Sequence, residues 1–299
     1  MSKNVKNFCA VIPTKNRQDD LLKIITSISD QKVLPEVLVI IDQSETNCKA
    51  DIKKILNKKI NLKYFHKRKI KSLTEAKNFS LSKIDKKIIF FLEDDVILQK
   101  NYFLKMISLF NTKKNIIGIC GILINEKRVN FLSKLYNKLF LIGIFRDKRF
   151  LLWNYQNKEK FVISDKISGG VSAWRREVFS KVKFDKKNKL HLFEDIDFSI
   201  RVNKIWPKST GILTSAKVVH KWSPTNRKKD FKLIQLKLIE AYKFYKKNKN
   251  QLLNFDLSIF IFGQFINCTI KTIIYLNFSY FKVFIKTILN LKKIKIYSK

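Results

Sequence analysis

Glu93-Asp94-Asp95 is the sharpest chemical signal in the chain: three adjacent carboxylates directly after the apolar run Ile88 to Leu92. Such neighbours repel one another, and a divalent cation relieves the repulsion; all-oxygen ligands of this kind suit Mg2+ or Mn2+. An ion held there would bridge a diphosphate. A solvated acidic turn would use the same residues, but the position at the end of an apolar strand, in a chain short of acids, favours a site. A second cluster, Phe193-Glu194-Asp195-Ile196-Asp197-Phe198, sets carboxylates among aromatic rings. Partly apolar surroundings raise a carboxyl pKa toward the range of a general base. The same acids would equally serve a helix N-terminus, where the dipole favours them. His220 comes after an apolar run and is a candidate to complete a metal's coordination, whereas His66 and His191 read as structural or surface residues. Ser168-Gly169-Gly170 holds the sole Gly pair.

The elements that must carry these groups read as strands alternating with helices. Strands are expected at Phe8 to Pro13, Val37 to Ile41 (ending in Asp42), Asn61 to Phe65, Lys87 to Leu92, Ile116 to Ile124 and Ile212 to Val219. Leu21, Ile24, Ile25 and Ile28 recur at helical spacing, and Ser72 with Glu75 forms a capping box. Helices are also expected through Trp174 to Val182 and from about Glu194, where Asp197 and Arg201 can pair at i, i+4. Residues 125 to 160 read as a loop or mobile insertion. The pattern is that of an α/β fold with a mostly parallel sheet, whose functional groups gather at the carboxyl ends of strands. Pro13, Asp42 and Glu93 to Asp95 all fall there.

The chain has 299 residues, enough for one large domain and a small appendage. With 7 Gly and no Gly-rich phosphate loop, nucleotide binding would depend on carboxylates, a metal and loop backbone. A net charge of +38 draws polyanions of any kind without choosing among them, and Lys-rich, Ile-rich composition alone produces such a surplus. Four scattered cysteines lack metal-site spacing and suit reduced thiols, and the first residues do not read as a signal peptide. Composition shifts near residue 226. From Arg227 onward, 16 Lys and Arg face three acids amid many Phe, Ile, Leu and Tyr. The longest uncharged stretch there, Leu257 to Ile270, is shorter than the roughly 20 residues of a membrane span, so a helix lying in the interface is expected.

Taken in order, Val11-Ile12-Pro13-Thr14-Lys15-Asn16-Arg17, Val39-Ile40-Ile41-Asp42-Gln43-Ser44, Leu73-Thr74-Glu75-Ala76-Lys77-Asn78, Phe90-Phe91-Leu92-Glu93-Asp94-Asp95, Gly169-Gly170 and Glu194-Asp195-Ile196-Asp197 resemble a family 2 glycosyltransferase with the Rossmann-like GT-A fold. The resemblance runs from about residue 8 to residue 226. It implies a catalytic domain over 1–226 and does not cover the rest; the composition of 227–299 makes that segment a basic, aromatic-rich helical tail, expected to associate with a membrane. The resemblance also implies that Pro13, Thr14, Lys15 and Arg17 line the nucleotide pocket, with Asp42 on the base and Lys77 and Asn78 nearby. Glu93 and Asp95 would act as the D-x-D element around Asp94, in the nucleotide-sugar site, with Glu93 near the ribose and, with Asp95, on Mn2+ or Mg2+, and His220 on the metal or the diphosphate. Gly169 and Gly170 would make room for sugar and acceptor, Trp174 and Trp222 would be candidates to stack on the sugar, a role that competes with ordinary core packing, and Asp195 would be the catalytic base with Glu194 as its neighbour. Glu93 and Lys77 depart from the family's usual Asp and Arg while keeping the charge.

The activity this implies is inverting transfer of a sugar from a nucleotide-diphosphate donor to a hydroxyl of a glycan or lipid-linked acceptor. Cell-surface polysaccharide synthesis, at the cytoplasmic face of an anionic membrane, is the expected setting. Other classes fit the residues less well. A nucleotidyltransferase would carry a Gly-rich basic loop after the first strand, which Pro13-Thr14-Lys15-Asn16 is not. A nucleic-acid-binding protein, or a membrane scaffold with an inactive transferase-like domain, would account for the charge, but no nucleic-acid module is present and the ordered acidic clusters would go unexplained.

Overall fold

The computed structural model describes residues 7–125, 130–147, 149, 160–188, 192–223, 230–248, 255–291 and 293. The chain divides into two compact units, residues 1–128 with 149–225, and residues 129–148 with 226–299.

The first unit is built on a nine-stranded sheet. Its strands are β1 (Phe8–Thr14), β2 (Val37–Asp42), β3 (Asn61–His66), β4 (Ile88–Leu92), β5 (Val96–Leu98), β6 (Gly118–Leu123), β7 (Phe161–Ile163), β8 (Val171–Arg175) and β9 (Thr210–His220). The order is β3-β2-β1-β4-β8-β6-β9-β5, with β7 also on β9. Every residue of β1, β2 and β4 is buried, as befits central strands covered on both faces. The alternation of the strand divides their side chains between two cores. Phe8, Ala10 and Ile12 face α1 (Gln18–Ser29) and α4 (Tyr102–Thr112), where Leu21, Ile24, Ile25, Ile28 and Phe103 meet them. Cys9 and Val11 face the opposite core, with Ala76 of α3 (Leu73–Leu81), Val178 of the short α6 (Val178–Lys181), and Phe198 and Val202 of α7 (Glu194–Ile205). A short α2 (Lys49–Ile55) lies between β2 and β3 in the chain.

Strands β3, β2, β1 and β4 run parallel, as the alternating pattern requires. Beyond β4 the sheet is mixed: β8 is antiparallel to β4 and β6, and β5 and β7 are antiparallel to β9. The helix expected from Trp174 is in its first part strand β8; only Val178–Lys181 is helical. Insertion between two central strands supplies ladder hydrogen bonds that no local signal announces. The helix expected near Glu194 forms, with Arg201 Nη2 2.8 Å from Asp197 Oδ2. Ser72 Oγ caps α3 by accepting from Glu75 N at 3.2 Å, while the Glu75 carboxylate reaches back to Lys71 N, one residue beyond the Ser72 N of the expected box.

The second unit is helical: α5 (Phe131–Phe140), a 3-10 turn (Gly143–Phe145), α8 (Asp230–Lys247), α9 (Asp256–Ile274) and α10 (Ser279–Leu291). Part of the expected loop over 125–160 is thus helix α5, begun by Asn130 Oδ1 accepting from Ser133 N at 2.8 Å. Residues 126–129, 148 and 150–159 lie outside the described residues. Ile234, Leu238, Cys268, Tyr280 and Phe284 form this unit's core. Helix α9 runs through Lys271 to Ile274, further than the uncharged stretch ending at Ile270, and at 19 residues with a mean hydropathy of 1.6 it is long and apolar enough to cross a membrane.

Candidate active site

Strand order reverses between β2 and β4, on either side of β1, and their carboxyl ends open onto one edge. Ligands in open α/β sheets bind at such a switch point. Thr14 ends β1, Asp42 ends β2, and Glu93-Asp94-Asp95 comes directly after β4. Because β8 is antiparallel to β4, its beginning lies at the same edge: Leu92 pairs with Val171, and Glu93 N donates to Gly170 O at 2.8 Å. His220 arrives by a different route. Its strand end pairs with Val96, immediately after Asp95, across the antiparallel β5–β9 ladder.

Glu93, Asp95 and His220 present one ligand atom each within 4.8 Å of one another. His220 Nε2 lies 3.0 Å from Glu93 Oε2 and 3.4 Å from Asp95 Oδ1. Two carboxylates and an imidazole fit a hard to borderline cation such as Mn2+. Trp222 N donates to His220 Nδ1 at 3.1 Å, so in this state the neutral ring carries its proton on Nε2, facing the carboxylates. Were His220 to serve as a ligand through Nε2, its proton would have to sit on Nδ1, which could then no longer accept from Trp222 N. Trp222 has a left-handed φ of 54° and its ring centroid is 4.0 Å from that of His220. Occupancy by a metal would thereby be linked to the backbone after β9.

Asp94 turns the other way. Its carboxylate accepts from Thr14 Oγ1 at 2.8 Å and from Arg17 Nη1 at 3.0 Å, and Arg17 also lies 3.4 Å from Asp95. Burial raises the Asp94 pKa to about 6 even though Arg17 and Thr14 pull it down. The three adjacent acids therefore have different tasks: Glu93 and Asp95 face His220, and Asp94 ties β4 to β1. Asp95 is held in turn by Ser223 N at 3.1 Å.

A cavity of about 300 Å³ opens beside β1 and β2, lined by Thr14, Asn16, Gln18, Leu21, Ser44, Glu45, Thr46 and Cys48. Its shape depends on Asn16 at a left-handed φ of 53°, a conformation Asn tolerates better than most residues. Asn16 N donates to Ser44 Oγ at 2.7 Å, and Asn16 Oδ1 accepts from Glu45 N at 3.2 Å. Asp42, expected on the base, is fully buried behind this wall. Its oxygens take Ser44 N at 2.8 Å, Cys48 Sγ at 3.7 Å and the Tyr64 hydroxyl. It braces the cavity rather than facing it. Pro13 is likewise buried in β1, whereas Lys15 is exposed at the rim.

The second acidic cluster stands at the N-terminus of α7, where Phe193 takes a left-handed φ of 61° and directs the first turn. Strain of this kind gathers at functional sites. Asp195 Oδ2 is 2.6 Å from Arg149 Nη1 and accepts from Gly169 N at 3.3 Å. Burial alone would raise the Asp195 pKa, but Arg149, with Lys77, holds it below the ordinary carboxylate value. Glu194 is pushed up to about 7, first by burial and then by Asp195, against the pull of Lys77. The neighbours differ because the arginine lies on one and a more distant lysine, 3.6 Å away, on the other.

Gly169 and Gly170 bring the two clusters together. A Cβ on Gly169 would stand 2.9 Å from Asp195 Cβ, and one on Gly170 would overlap the Glu93 carboxyl. The space these glycines leave is thus occupied by catalytic carboxylate candidates. Lys77, expected near the nucleotide, is 2% exposed and donates to Gly169 O at 3.2 Å, so it supports the Gly169–Glu194 side. Asn78 spends its amide on Phe184, donating to its O at 2.8 Å and accepting from its N at 3.1 Å, and so clamps a loop. Trp174, a candidate sugar platform, is core: 2% exposed, edge-on to Phe198 at 4.8 Å. Its place in a central strand turns the indole inward. Trp222, 45% exposed, stands beside His220 at the site. His66 Nε2 lies 2.8 Å from Ser44 O, and His191 is outside the described residues. Sequence reasoning missed Ser44, Glu45, Tyr64, Arg149 and Ser223; of these only Ser44 stood within a recognisable motif.

A mixed α/β sheet with an acidic cluster after a central strand, His220 beside it and a Gly pair opposite defines a nucleotide-sugar transferase architecture. The sequence model for glycosyl transferase family 2 matches residues 9–183, and the chain belongs to that family. A comparison with curated proteins gives no match. Among solved structures, TarS 1–349 of S. aureus is similar at 14% identity and a TM-score of 0.52, over 87% of this chain and 72% of that one. The mannosyltransferase PcManGT of Pyrobaculum calidifontis, in complex with GDP-Man and Mn2+, aligns at 11% identity and a TM-score of 0.56, over 93% and 73%. GalNAc-T7, with UDP, GalNAc and Mn2+, aligns at 15% identity and a TM-score of 0.59, over 84% of this chain and 52% of that one. At these identities the likeness is one of fold.

Proposed function

We propose that this protein is an inverting, metal-dependent glycosyltransferase that moves a hexosyl or related group from a nucleotide-diphosphate sugar to a hydroxyl of a glycan or lipid-linked acceptor. The observation that carries the reading is the placement of Glu93, Asp95 and His220 near Glu194 and Asp195, with Gly169 against the Asp195 side chain and Gly170 against the Glu93 carboxyl. The cavity beside β1 and β2 takes the nucleoside, and Lys15 at its rim and Arg17 beside Asp94 and Asp95 supply positive charge near the diphosphate. Mn2+ or Mg2+ held by Glu93, Asp95 and His220 would supply charge neutralisation for the departing diphosphate. Asp195 accepts the acceptor's proton as the new bond forms. Arg149 keeps Asp195 ionised at neutral pH, so the base needs no prior deprotonation, and an incoming hydroxyl competes with Arg149 for Oδ2. Lys77 fixes the Gly169 carbonyl and with it the floor between the clusters. Direct displacement of this kind inverts the anomeric centre and needs no covalent intermediate, leaving positioning and charge to lower the barrier.

The C-terminal quarter of the chain fits a peripheral position on the cytoplasmic face of the membrane, where polysaccharide precursors on lipid carriers are elongated. Residues from Arg227 onward carry 16 Lys and Arg against three acids, a composition suited to anionic lipid. Calorimetric titration with UDP-, dTDP- and GDP-sugars, with and without Mn2+, tests the activity. One of these donors binding only with Mn2+, and then a product of inverted configuration, is the expected result; binding that ignores Mn2+ would remove the metal from the reading.

A further inference from the structure

We infer that the turn between α9 and α10, together with the N-terminal half of α5, is the element that this protein inserts into the headgroup region of an anionic bilayer. The inference rests on the peripheral membrane reading above and names the surface that performs it.

Residues 273 to 279 are exposed without interruption. They include Ile273 and Ile274 at 66%, Tyr275 at 60%, Leu276 at 91% and Phe278 at 79% exposure. A connection meant for water would be polar, and contiguous apolar surface of this kind marks a contact with a partner or a membrane. The turn is also built to present its apolar tip. Leu276 takes a left-handed φ of 46°, at a helix end where Gly or Asn is usual. Leu276 N bonds Ile273 O at 3.3 Å, Asn277 N bonds Thr272 O at 3.1 Å, and Asn277 Oδ1 accepts from Ser279 N at 2.9 Å. The backbone polar groups are thus satisfied internally while the apolar side chains point out.

Helix α5 adds a second apolar edge at the same end. It has no buried residue, and Phe131 and Leu132 are 77% and 71% exposed. Its contacts fix its direction. Tyr136 Oη accepts from Gln264 Nε2 at 3.0 Å, Phe140 lies 6.0 Å from Phe262, and after the 3-10 turn begins Ile144 N reaches Asp256 Oδ2 at 3.3 Å. As residue numbers rise from 136 to 144, their partners on α9 fall from 264 to 256. The two segments are therefore antiparallel, and the start of α5 points toward the end of α9 that carries the exposed turn.

Charge identifies the partner. No Asp or Glu occurs after Asp256 or between residues 130 and 140, while Lys134, Lys138, Lys271, Lys282 and Lys286 stand on these helices. Lys271 and Lys282 bracket the apolar turn and set its depth: they stay with the headgroups while the residues between them enter the acyl boundary. Insertion of the tip alone also spares α9 from carrying Lys271 and Gln264 through the bilayer.

The test uses the full chain and vesicles of phosphatidylcholine with or without phosphatidylglycerol. Leu276→Asp/Phe278→Asp should lower sedimentation with the anionic vesicles more than tenfold, while Leu289→Asp, at an exposed residue far along α10, should remain near wild type. All four cysteines are buried, so Leu276→Cys accepts an environment-sensitive dye selectively; its emission should shift to the blue on vesicles, which keeps the test open if the double variant misfolds. Wild-type binding with unchanged binding of the double variant and no shift of the dye would overturn the turn as the insertion element and leave the peripheral reading standing. Equal loss in Leu289→Asp would do the same. A wild-type chain that ignores both vesicle types would overturn both.

Discussion

The assignment of the catalytic base can be decided by the pH dependence of a single turnover with donor saturating. Glu194 and Asp195 are sequence neighbours in one helical turn, yet their environments push them apart: burial lifts Glu194 to about 7, while Arg149 holds Asp195 down despite burial. A base loses activity as pH falls through its own pKa. With Asp195 as base, the rate stays level from pH 8 down to the ordinary carboxylate range. With Glu194 as base, it falls tenfold per pH unit below about 7. Asp195→Asn keeps the shape and deletes the basic lone pair, so turnover should drop by roughly 10² to 10⁴, about 2.7 to 5.5 kcal/mol, with donor affinity retained. The substitution also weakens the 2.6 Å pair with Arg149, whose partners are 17% and 19% exposed. A hydrogen bond to a charged group contributes about 1.5–3 kcal/mol, a loss that a domain stable by about 5–15 kcal/mol survives. Loss of turnover should therefore coincide with a folded protein by circular dichroism. Arg149→Gln removes the cation that lowers Asp195 and should bring an acidic limb up into the measured range. An acidic limb near 7 in the wild type, abolished by Glu194→Gln, would refute the assignment to Asp195.

Other outcomes come from the same geometry. Asp95→Asn removes one of the two carboxylates facing His220 and should weaken Mn2+-dependent donor binding at least about 100-fold by calorimetry, more than the 10- to 100-fold typical of losing a supporting residue around a metal. Mn2+ should change Trp222 emission, because a cation on His220 Nε2 displaces the Trp222 N–H bond to Nδ1; a Trp222→Phe variant that keeps the whole signal would break that link. Gly170→Ala forces a methyl onto the Glu93 carboxyl and should impair Mn2+-dependent donor binding while Tm moves little, since the exposed Glu93 side chain can swing aside. Trp174→Ala should cost about 3–5 kcal/mol of stability by urea titration, as large core truncations do, with the acceptor KM of the folded fraction unchanged.

The parallel half of the sheet, and the acidic residues at its strand ends, were legible in the amino-acid sequence. Continuous apolar runs such as Val37–Ile41 and Ile88–Leu92 can only be strands buried on both faces, and the residues just beyond them, Asp42 and Glu93-Asp94-Asp95, inherit their position at the strand ends. The helix spacing of Leu21 to Ile28 and the start of α7 at Glu194 were legible for the same local reason. Tertiary structure settled everything that depends on pairing across long separations. Val171–Arg175 becomes a strand because β4 and β6 leave a place between them, and that choice buries Trp174 and carries Gly169-Gly170 to the acidic edge. His220 meets Glu93, 127 positions earlier, because β9 lies antiparallel to β5, a three-residue strand too short to announce itself. Which of three adjacent acids face His220, and which of two neighbouring carboxylates is pushed up toward neutrality, depend on Arg17 and Arg149. A charge's effect on its neighbours depends on distance in space, and composition and spacing along the chain do not contain it.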